Sequence, residues 1–545
     1  MSLEAHGLVT KPLSDIFAWI EKGRLALPEL QRPSVWGESK IPRLLSSFYH
    51  DYPSGILLVW EPEENQRIRC RPFGMDDREN FDRSKRADFY LIDGQQRLTA
   101  LFKSLHNLPE PAVDVVFNVW GQEFELANKK YAQKDGWLPL GKLLTHSIAE
   151  WASLINQNPE KEEHLSEVAE KLRRLKPAEL KLTYFNVKEK PYCEVAEIFE
   201  RINLGLPVKK SQIVLGKLST VSPGIVEIVE EHLARKKLQH GNEFDLDLLM
   251  SILAVTAIGS SDVEDLEAAY LPENGKKPAR PANQLTADVQ LAMKSVDDAF
   301  IFIDKYLHID TMTYFTQERT LTCLAFLQAK HPTYLSKPAN ASRLAYWTAW
   351  ALLSKRHGDQ RDMKEDIRAI SKPEDEIATI LLRHCRKDDI VHRLADLDDL
   401  DSPISRQSIL FGFLYALVRR NKAVSFLTTD FVICTTGDPK TRLHEHHIYP
   451  DAMVSRERNP EGQRWKEKWA SDLANLTWLL DVDNMRLKDP HISYLREFEA
   501  ILPAHLIEAT GQKSGDYMGF LKSRRKLIKN AMSNFIEELT TNAKQ

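Results

Sequence analysis

The sequence predicts a multidomain α+β protein, mainly helical, built from three consecutive parts. Its 545 residues are several times a single-domain length, enough for two or three separate cores. Strand-like apolar runs mix with amphipathic helices only in the first 220 or so residues. A second change of pattern, to a short strand-like run and a dense group of histidines, comes after about residue 425. These shifts divide the chain into 1–220, 221–425 and 426–545.

In the first part, Ile56-Leu57-Leu58-Val59-Trp60 and Phe89-Tyr90-Leu91-Ile92 read as strands, which makes it an α/β or α+β domain. In the second, apolar residues recur at helical spacing, as in Leu344, Trp347 and Leu352 or Leu410, Leu414 and Leu417, so a helical domain is expected. Pro272, Pro278 and Pro281, with Asn274, Gly275, Lys276 and Lys277, suit no regular element and read as an exposed loop. The third part opens with strand-like Phe431-Val432-Ile433-Cys434 and a Thr-Thr-Gly-Asp-Pro turn. No repeat or low-complexity tract interrupts the chain, which argues against a solenoid.

Composition narrows the class. Hydrophobic residues at 43% and charged residues at 28% exclude a predominantly disordered or fibrous protein. Cys70, Cys193, Cys323, Cys385 and Cys434 form no CxxC pair, which points away from disulfides and cysteine zinc sites and toward a reducing cytoplasm. The longest apolar runs, such as Ile409 to Val418, are about half of the roughly 20 residues a membrane-spanning helix needs, so no membrane partner is expected. The net charge of -4 neither marks nor excludes a nucleic-acid binder. The densest basic stretch, Lys522-Ser523-Arg524-Arg525-Lys526 with Lys529, reads as helical, either as a solvated face or as a phosphate contact.

Chemistry concentrates in Leu443-His444-Glu445-His446-His447-Ile448-Tyr449-Pro450. Downstream, Leu473 to Leu480 reads as a turn and a strand, and Asp481-Val482-Asp483-Asn484 opens a helix that Asp483 or Asn484 could cap. Phosphodiester hydrolysis needs a base for water and a cation for the crowded phosphate. A histidine, largely neutral at pH 7, can be the base, while a second imidazole and an asparagine carbonyl can hold one divalent metal. Neighbours on a regular strand face opposite ways, so for both histidines to reach one phosphate the strand must be irregular there. With no cysteine nearby, a structural zinc site is disfavoured, and a surface histidine run of incidental metal affinity is the bland alternative.

The segment His446-His447-Ile448-Tyr449-Pro450 resembles the first strand of the HNH, or ββα-metal, nucleases. By position, that resemblance implies His446 as metal ligand, His447 as general base, Asn475 as the asparagine tying the loop to the hairpin, and Asn484 as helix-borne second ligand, with Mg²⁺ or Mn²⁺ as cofactor. The spacing Asn484 to Lys488 is one residue longer than the common pattern, and the loop after Pro450 is longer than a minimal motif needs. His491 is a candidate additional or substitute ligand.

A second motif lies near the N-terminus. The strand-like run ending at Ile92 leads into Asp93-Gly94-Gln95-Gln96-Arg97, after which Leu98, Leu101, Phe102 and Leu105 recur at helical spacing. A helix start beside a glycine offers backbone N–H groups to an anion, and Arg97 adds a forked cation suited to phosphate. The bland alternative reads Asp93-Gly94 as a plain turn with Gln96 and Arg97 as ordinary first-turn residues. No P-loop sequence is present.

Asp-Gly-Gln-Gln-Arg followed by Leu-Thr-Ala-Leu resembles the N-terminal domain of the GmrSD family of modification-dependent (type IV) restriction enzymes. Pro28-Glu29-Leu30-Gln31-Arg32-Pro33-Ser34-Val35-Trp36, Tyr52-Pro53-Ser54-Gly55 and Ile198-Phe199-Glu200-Arg201-Ile202-Asn203-Leu204-Gly205 resemble further segments of that domain in the same order. The resemblance implies a ParB-like α/β domain that binds and hydrolyses GTP or ATP, a helical linker domain, and an HNH nuclease acting on modified phage DNA. By position it implies nucleotide binding through Asp93, Gly94, Gln95, Gln96 and Arg97, with Gln31, Arg32, Arg201 and Asn203 converging on the same pocket.

The expected protein is a nucleotide-regulated, metal-dependent endonuclease of phage defence. Its partners would be double-stranded DNA, nucleotide and, since one HNH centre cuts one strand, a second copy in a transient homodimer. The alternatives are a nucleotide-dependent DNA-binding or regulatory protein with an inactive nuclease domain, and a nucleotide hydrolase whose C-terminal part only recruits nucleic acid.

Overall fold

The computed structural model describes residues 7–28, 37–62, 70–71, 87–128, 136–147, 150–151, 162–190, 194–195, 198, 209–271, 280–435, 438, 441–454, 467–487, 492–508 and 516–545. They form two compact units, 1–226 and 227–545.

The N-terminal unit is built on strands β1 (Gly7–Pro12), β2 (Leu25–Pro28), β3 (Leu57–Glu61), β4 (Cys70–Arg71), β5 (Phe89–Asp93), β6 (Val115–Asn118), β7 (Glu123–Leu126), β8 (Trp137–Pro139) and β9 (Lys181–Lys188). Six make a mixed sheet in the order β1-β9-β3-β5-β2-β4, and β7-β6-β8 make a smaller one. The two expected strands are β3 and β5 at the centre of the larger sheet. Both carry continuous apolar runs because both of their faces are covered. Leu57, Val59, Phe89 and Leu91 join a core with helices Leu13–Glu21, Ile41–Tyr49 and Gln95–Leu105. Leu58, Trp60, Tyr90 and Ile92 alternate onto the opposite face, against Val187 and Val195. The sheet ends at the Asp93–Arg97 turn, so this motif sits on a rigid strand and opens a helix.

The C-terminal unit is helical, and among the described residues no strand occurs between 189 and 442. The 225–425 stretch supplies long helices, including Leu285–Leu307, Pro338–Ser354 and Ile409–Arg420. The final helix, Tyr517–Lys544, packs along Pro338–Ser354, so the helices before 425 and the elements after it share one core. Strands β10 (Leu443–His447) and β11 (Leu476–Leu480) form an antiparallel hairpin, followed by helix Asp481–Leu487. Helix Ile409–Arg420 approaches the Met312–Phe315 turn closely enough that a Cβ at Gly412 would overlap the Tyr314 carbonyl.

Two expectations are corrected. Phe431–Cys434 forms a single bridge, Val424 to Val432, and not a strand. Leu427 and Thr428 turn their N–H groups to the Asp483 carboxylate, at 3.2 and 2.9 Å, which bends the chain before a ladder can extend. The basic stretch is helical, but Arg524 and Arg525 are each 1% exposed and serve neither as a solvated face nor as a phosphate contact, whereas Lys522 and Lys526 are exposed.

Arg525 pairs with the fully buried Asp472 and donates to the carbonyls of Asp399 and Ser402. Asp472 in turn accepts from Ile404 N and Ala474 N, at 2.7 and 2.9 Å. Removing one partner of a buried pair strands the other charge, which costs about 3–5 kcal/mol. Arg525→Ala should lower the unfolding free energy of the C-terminal unit by that amount. Lys522→Ala, on the same helix, should change it by less than about 0.5 kcal/mol, and urea unfolding checks both.

Candidate active site

The β10–β11 ladder runs in unbroken register, with His446 opposite Thr477 and His447 opposite Leu476. The irregularity expected between the two histidines is absent; the chain departs only at Ile448, where Ile448 N bonds to Asn475 O at 2.8 Å. Strand alternation therefore puts His444 and His446 on one face and Glu445 and His447 on the other.

The second face is packed and apolar. Trp478, cross-strand from Glu445, is fully buried against Phe411, Tyr415 and Tyr314, and its indole N–H donates to the Tyr314 hydroxyl at 2.7 Å. Glu445 is held by Arg406 at 2.9 Å. His447, the last residue of the ladder, is half-buried.

The first face carries the polar geometry. His446 is 5% exposed, with Nδ1 2.8 Å from Asn484 Oδ1 and Nε2 2.8 Å from the Tyr494 hydroxyl. Asn484 comes from the helix that follows β11, and the neighbouring Asp483 fixes that helix. Its carboxylate accepts from Ser425 Oγ, Leu427 N, Thr428 N and Thr428 Oγ1, while Ser425 Oγ also accepts from Leu480 N. Burial opposes the Asp483 charge, but these four donors outweigh it and hold its pKa below the usual carboxylate range. Asp483 thus anchors the helix to the 425–428 loop. One turn of helix away, Asp481 sits 3.5 Å from His444.

Asn475 is fully buried and works as a two-sided clip. Its Oδ1 accepts from Tyr449 N at 2.8 Å, and its Nδ2 donates to Tyr449 O and Ala470 O at 3.0 and 2.8 Å. The chain leaving the histidine strand is thereby tied to the start of β11. Arg524 holds this clip from behind, with Nη1 donating to Ala474 O and Leu476 O, both at 2.8 Å, on either side of Asn475.

The structure therefore brings His446, Asn475 and Asn484 into one hairpin-and-helix unit, with His447 at its edge. Sequence reasoning missed Tyr494 and Ser425, took Asp483 only as a helix cap, and noticed Arg524 and Arg525 only for their charge. His491 lies outside the described residues, and among those described no group of three or more His, Cys, Asp or Glu side chains is arranged to hold a metal.

In the N-terminal unit, Gly94 has φ +93° and precedes helix Gln95–Leu105, and its Cβ-less face meets the Leu57 side chain. Arg97 does not stand clear as a lone cation. Its guanidinium donates to Ser54 O at 2.6 Å, Ile56 O at 3.0 Å and the Asp93 carboxylate at 3.2 Å. These bonds lash the Tyr52–Ile56 segment to the turn, and Gly55, at φ +81°, is pressed against the guanidinium. Gln95 is buried and Gln96 half-buried. Gln31, Arg32, Arg201 and Asn203 lie outside the described residues.

Residues 13–219 match the family model of the GmrSD restriction endonuclease N-terminal domain. Residues 13–219 thus form a domain of the GmrSD N-terminal type. The matched span covers every strand of the large sheet but β1, the Asp93–Arg97 turn and the helix after it, so the short motifs and the domain around them agree. The matched domain is described as the N-terminal domain of a restriction endonuclease. No curated protein matches the chain. Among the described residues no helix is long and apolar enough to cross a membrane.

Two predictions follow from these packings. Gly94→Ala places a methyl group into Leu57 at a positive φ, and should destabilise the GmrSD domain by about 1–3 kcal/mol, read from its thermal melt. His505 is fully buried, bonded to Thr477 Oγ1 and Val424 O, and burial drives its pKa down from 6.5 to about 4. Only the unfolded chain takes up this proton between those values, so stability is full above pH 6.5, falls as pH drops to about 4, and is flat below. The loss should total about 3 kcal/mol in urea unfolding across that window, and His505→Gln should flatten it.

Proposed function

We propose that the protein is a nucleotide-regulated, metal-dependent HNH endonuclease that cuts foreign, modified DNA in phage defence. The observation that carries this reading is the pair His446 Nδ1 and Asn484 Oδ1, 2.8 Å apart on a hairpin and the helix that follows it, with Asn475 clipping the intervening chain. That order of elements and side chains is what the ββα-metal resemblance calls for.

The donor set fits a divalent cation. A neutral imidazole nitrogen and an amide oxygen at that separation can share one ion of the Mg²⁺ or Mn²⁺ class. Ions of this class commonly keep several waters and take few protein ligands beside substrate phosphate oxygens, so a third protein ligand is not required. When bound, the ion would supply Lewis-acid stabilisation of the crowded phosphate and the departing oxygen. His446 and Asn484 would hold it, and Asp483 would keep the Asn484 helix in place.

His447 is the base in this reading. In an in-line displacement the attacking and leaving oxygens stand on opposite sides of phosphorus. Strand alternation turns His447 and His446 to opposite faces, so this reading requires the phosphate to sit across the end of β10, where the ladder stops at His447, with the proton acceptor on one side and the ligand pair on the other. His447 takes the proton of the attacking water as it forms the bond to phosphorus, and the sugar oxygen leaves on the far side. One such centre cuts one strand, so a double-strand break calls for two copies on DNA.

In the N-terminal unit, the Asp93–Arg97 turn is proposed to bind and hydrolyse GTP or ATP in a ParB-like domain. The support is the backbone of a helix start behind a positive-φ glycine, with Gln31, Arg32, Arg201 and Asn203 as the further candidates from the motif. Arg97 would act there chiefly by holding the 52–56 segment against the turn. The compartment fitting this role is the cytoplasm.

The test is cleavage of plasmid and modified phage DNA with Mg²⁺ or Mn²⁺, with and without nucleotide. His447→Ala should reduce cutting by about 10²- to 10⁴-fold and leave nucleotide turnover intact. Arg97→Ala should depress turnover and uncouple it from cutting. Cutting that survives His447→Ala would sink the assignment of the base, and no metal-dependent cutting of any DNA would favour the regulatory reading.

A further inference from the structure

His446 has two ring nitrogens and both are engaged, so its tautomer is decided by its partners. Nδ1 faces the Asn484 carbonyl oxygen, an acceptor; Nε2 faces a phenol, which can donate or accept. The Tyr494 hydroxyl has a second partner within reach, the Ile448 carbonyl, at 3.4 Å. Two arrangements satisfy these groups. With no cation, Nδ1–H donates to Asn484 and the Tyr494 O–H donates to Nε2. In the other, Nε2–H donates to the Tyr494 oxygen, the phenol proton turns to Ile448 O, and Nδ1 and Asn484 Oδ1 present two lone pairs to the same point. That second arrangement is the one a cation requires, and the imidazole stays neutral in both.

We infer that Tyr494 is a positioning residue of the nuclease centre: by accepting the Nε2–H of His446, its hydroxyl frees Nδ1 to act as a ligand beside Asn484. The inference rests on the proposed reading of His446 and Asn484 as cation ligands. A phenol suits the task because it can reverse its role at Nε2 without moving, whereas a purely donating side chain would block the ligand tautomer. Its setting supports this. Tyr494 is 7% exposed, wedged between His446, Phe426 and Phe498, so the Nε2 side of the ring is enclosed. Partners at the far nitrogen of a ligating histidine commonly contribute about 10- to 100-fold to metal affinity.

The experiment titrates Mn²⁺ into the full-length wild type, Tyr494→Phe, His446→Ala and Asn484→Ala, reading free Mn²⁺ by electron paramagnetic resonance, and measures DNA cutting over the same Mn²⁺ range. Tyr494→Phe should bind Mn²⁺ about 10- to 100-fold more weakly, and saturating Mn²⁺ should restore its kcat. Wild-type affinity in Tyr494→Phe, alongside loss in His446→Ala and Asn484→Ala, overturns the inference and leaves the nuclease reading standing. Wild-type affinity in all three variants overturns the ligand reading itself. A second measurement needs no variant: in ¹⁵N-histidine-labelled wild type, Mg²⁺ should shift the His446 proton from Nδ1 to Nε2. A proton that stays on Nδ1 at saturating Mg²⁺ overturns the inference.

Discussion

Arg524 places a guanidinium deep in the C-terminal unit, and its described hydrogen bonds run to four main-chain carbonyls, those of Ala474, Leu476, His505 and Leu506. A buried cation is expensive, and distributing it over carbonyl dipoles is one of few ways to keep it. The arrangement has a structural return. Two of the carbonyls flank Asn475, so the backbone that carries the clip cannot rotate away from Tyr449. Tyr449 follows the histidine strand by two residues, and its position sets where the chain leaves the hairpin. A single fork on the last helix thus fixes the exit of β10, the entry of β11 and, through β11, the start of the Asn484 helix. Arg525, one residue on, does the same for the preceding turn through Asp472.

The N-terminal unit uses the same chemistry nearer the surface. Arg97 spends its fork on two carbonyls and a carboxylate, and two glycines at positive φ allow the backbone to come that close. An arginine so engaged shapes a turn before it binds anything. The Asp-Gly-Gln-Gln-Arg sequence is therefore a folding unit as well as a candidate site: Gly94 fits against Leu57 of β3, Arg97 gathers the Tyr-Pro-Ser-Gly segment, and two motifs separated in sequence become one surface.

This explains what was legible in the sequence. The Phe89–Ile92 run and the helix after it were readable because strand continuity and helical spacing are local signals, and the long helices of the second unit for the same reason. The hairpin-and-helix order around the histidines was readable from Leu476 to Leu480 and from Asp481 onward. What was not readable depends on contacts between distant residues. Asp483 looked like a helix cap, but its carboxylate serves a loop more than 50 residues upstream. Phe431–Cys434 has the composition of a strand and loses the ladder to that same carboxylate. Arg524 and Arg525 look like a basic face because charge is visible in a sequence and burial by a remote carbonyl is not. Tyr494 carries no local signal; it is marked only by the ring nitrogen it meets.

Burial of Arg524 and Arg525 also bears on how the protein meets DNA. The densest basic run in a chain of net charge -4 is largely withdrawn from solvent, leaving Lys522 and Lys526 exposed and Lys529 paired with Asp398. Nonspecific affinity for a duplex grows with the number of phosphates neutralised, so this helix contributes little to it. In the proposed reading, residence on DNA would come from other parts of the chain, through recognition of a modified base, coupling to a bound nucleotide, or a second copy engaged on the same duplex. Each of the three would make cutting conditional, which the proposed defence role needs of a nuclease that must leave host DNA intact.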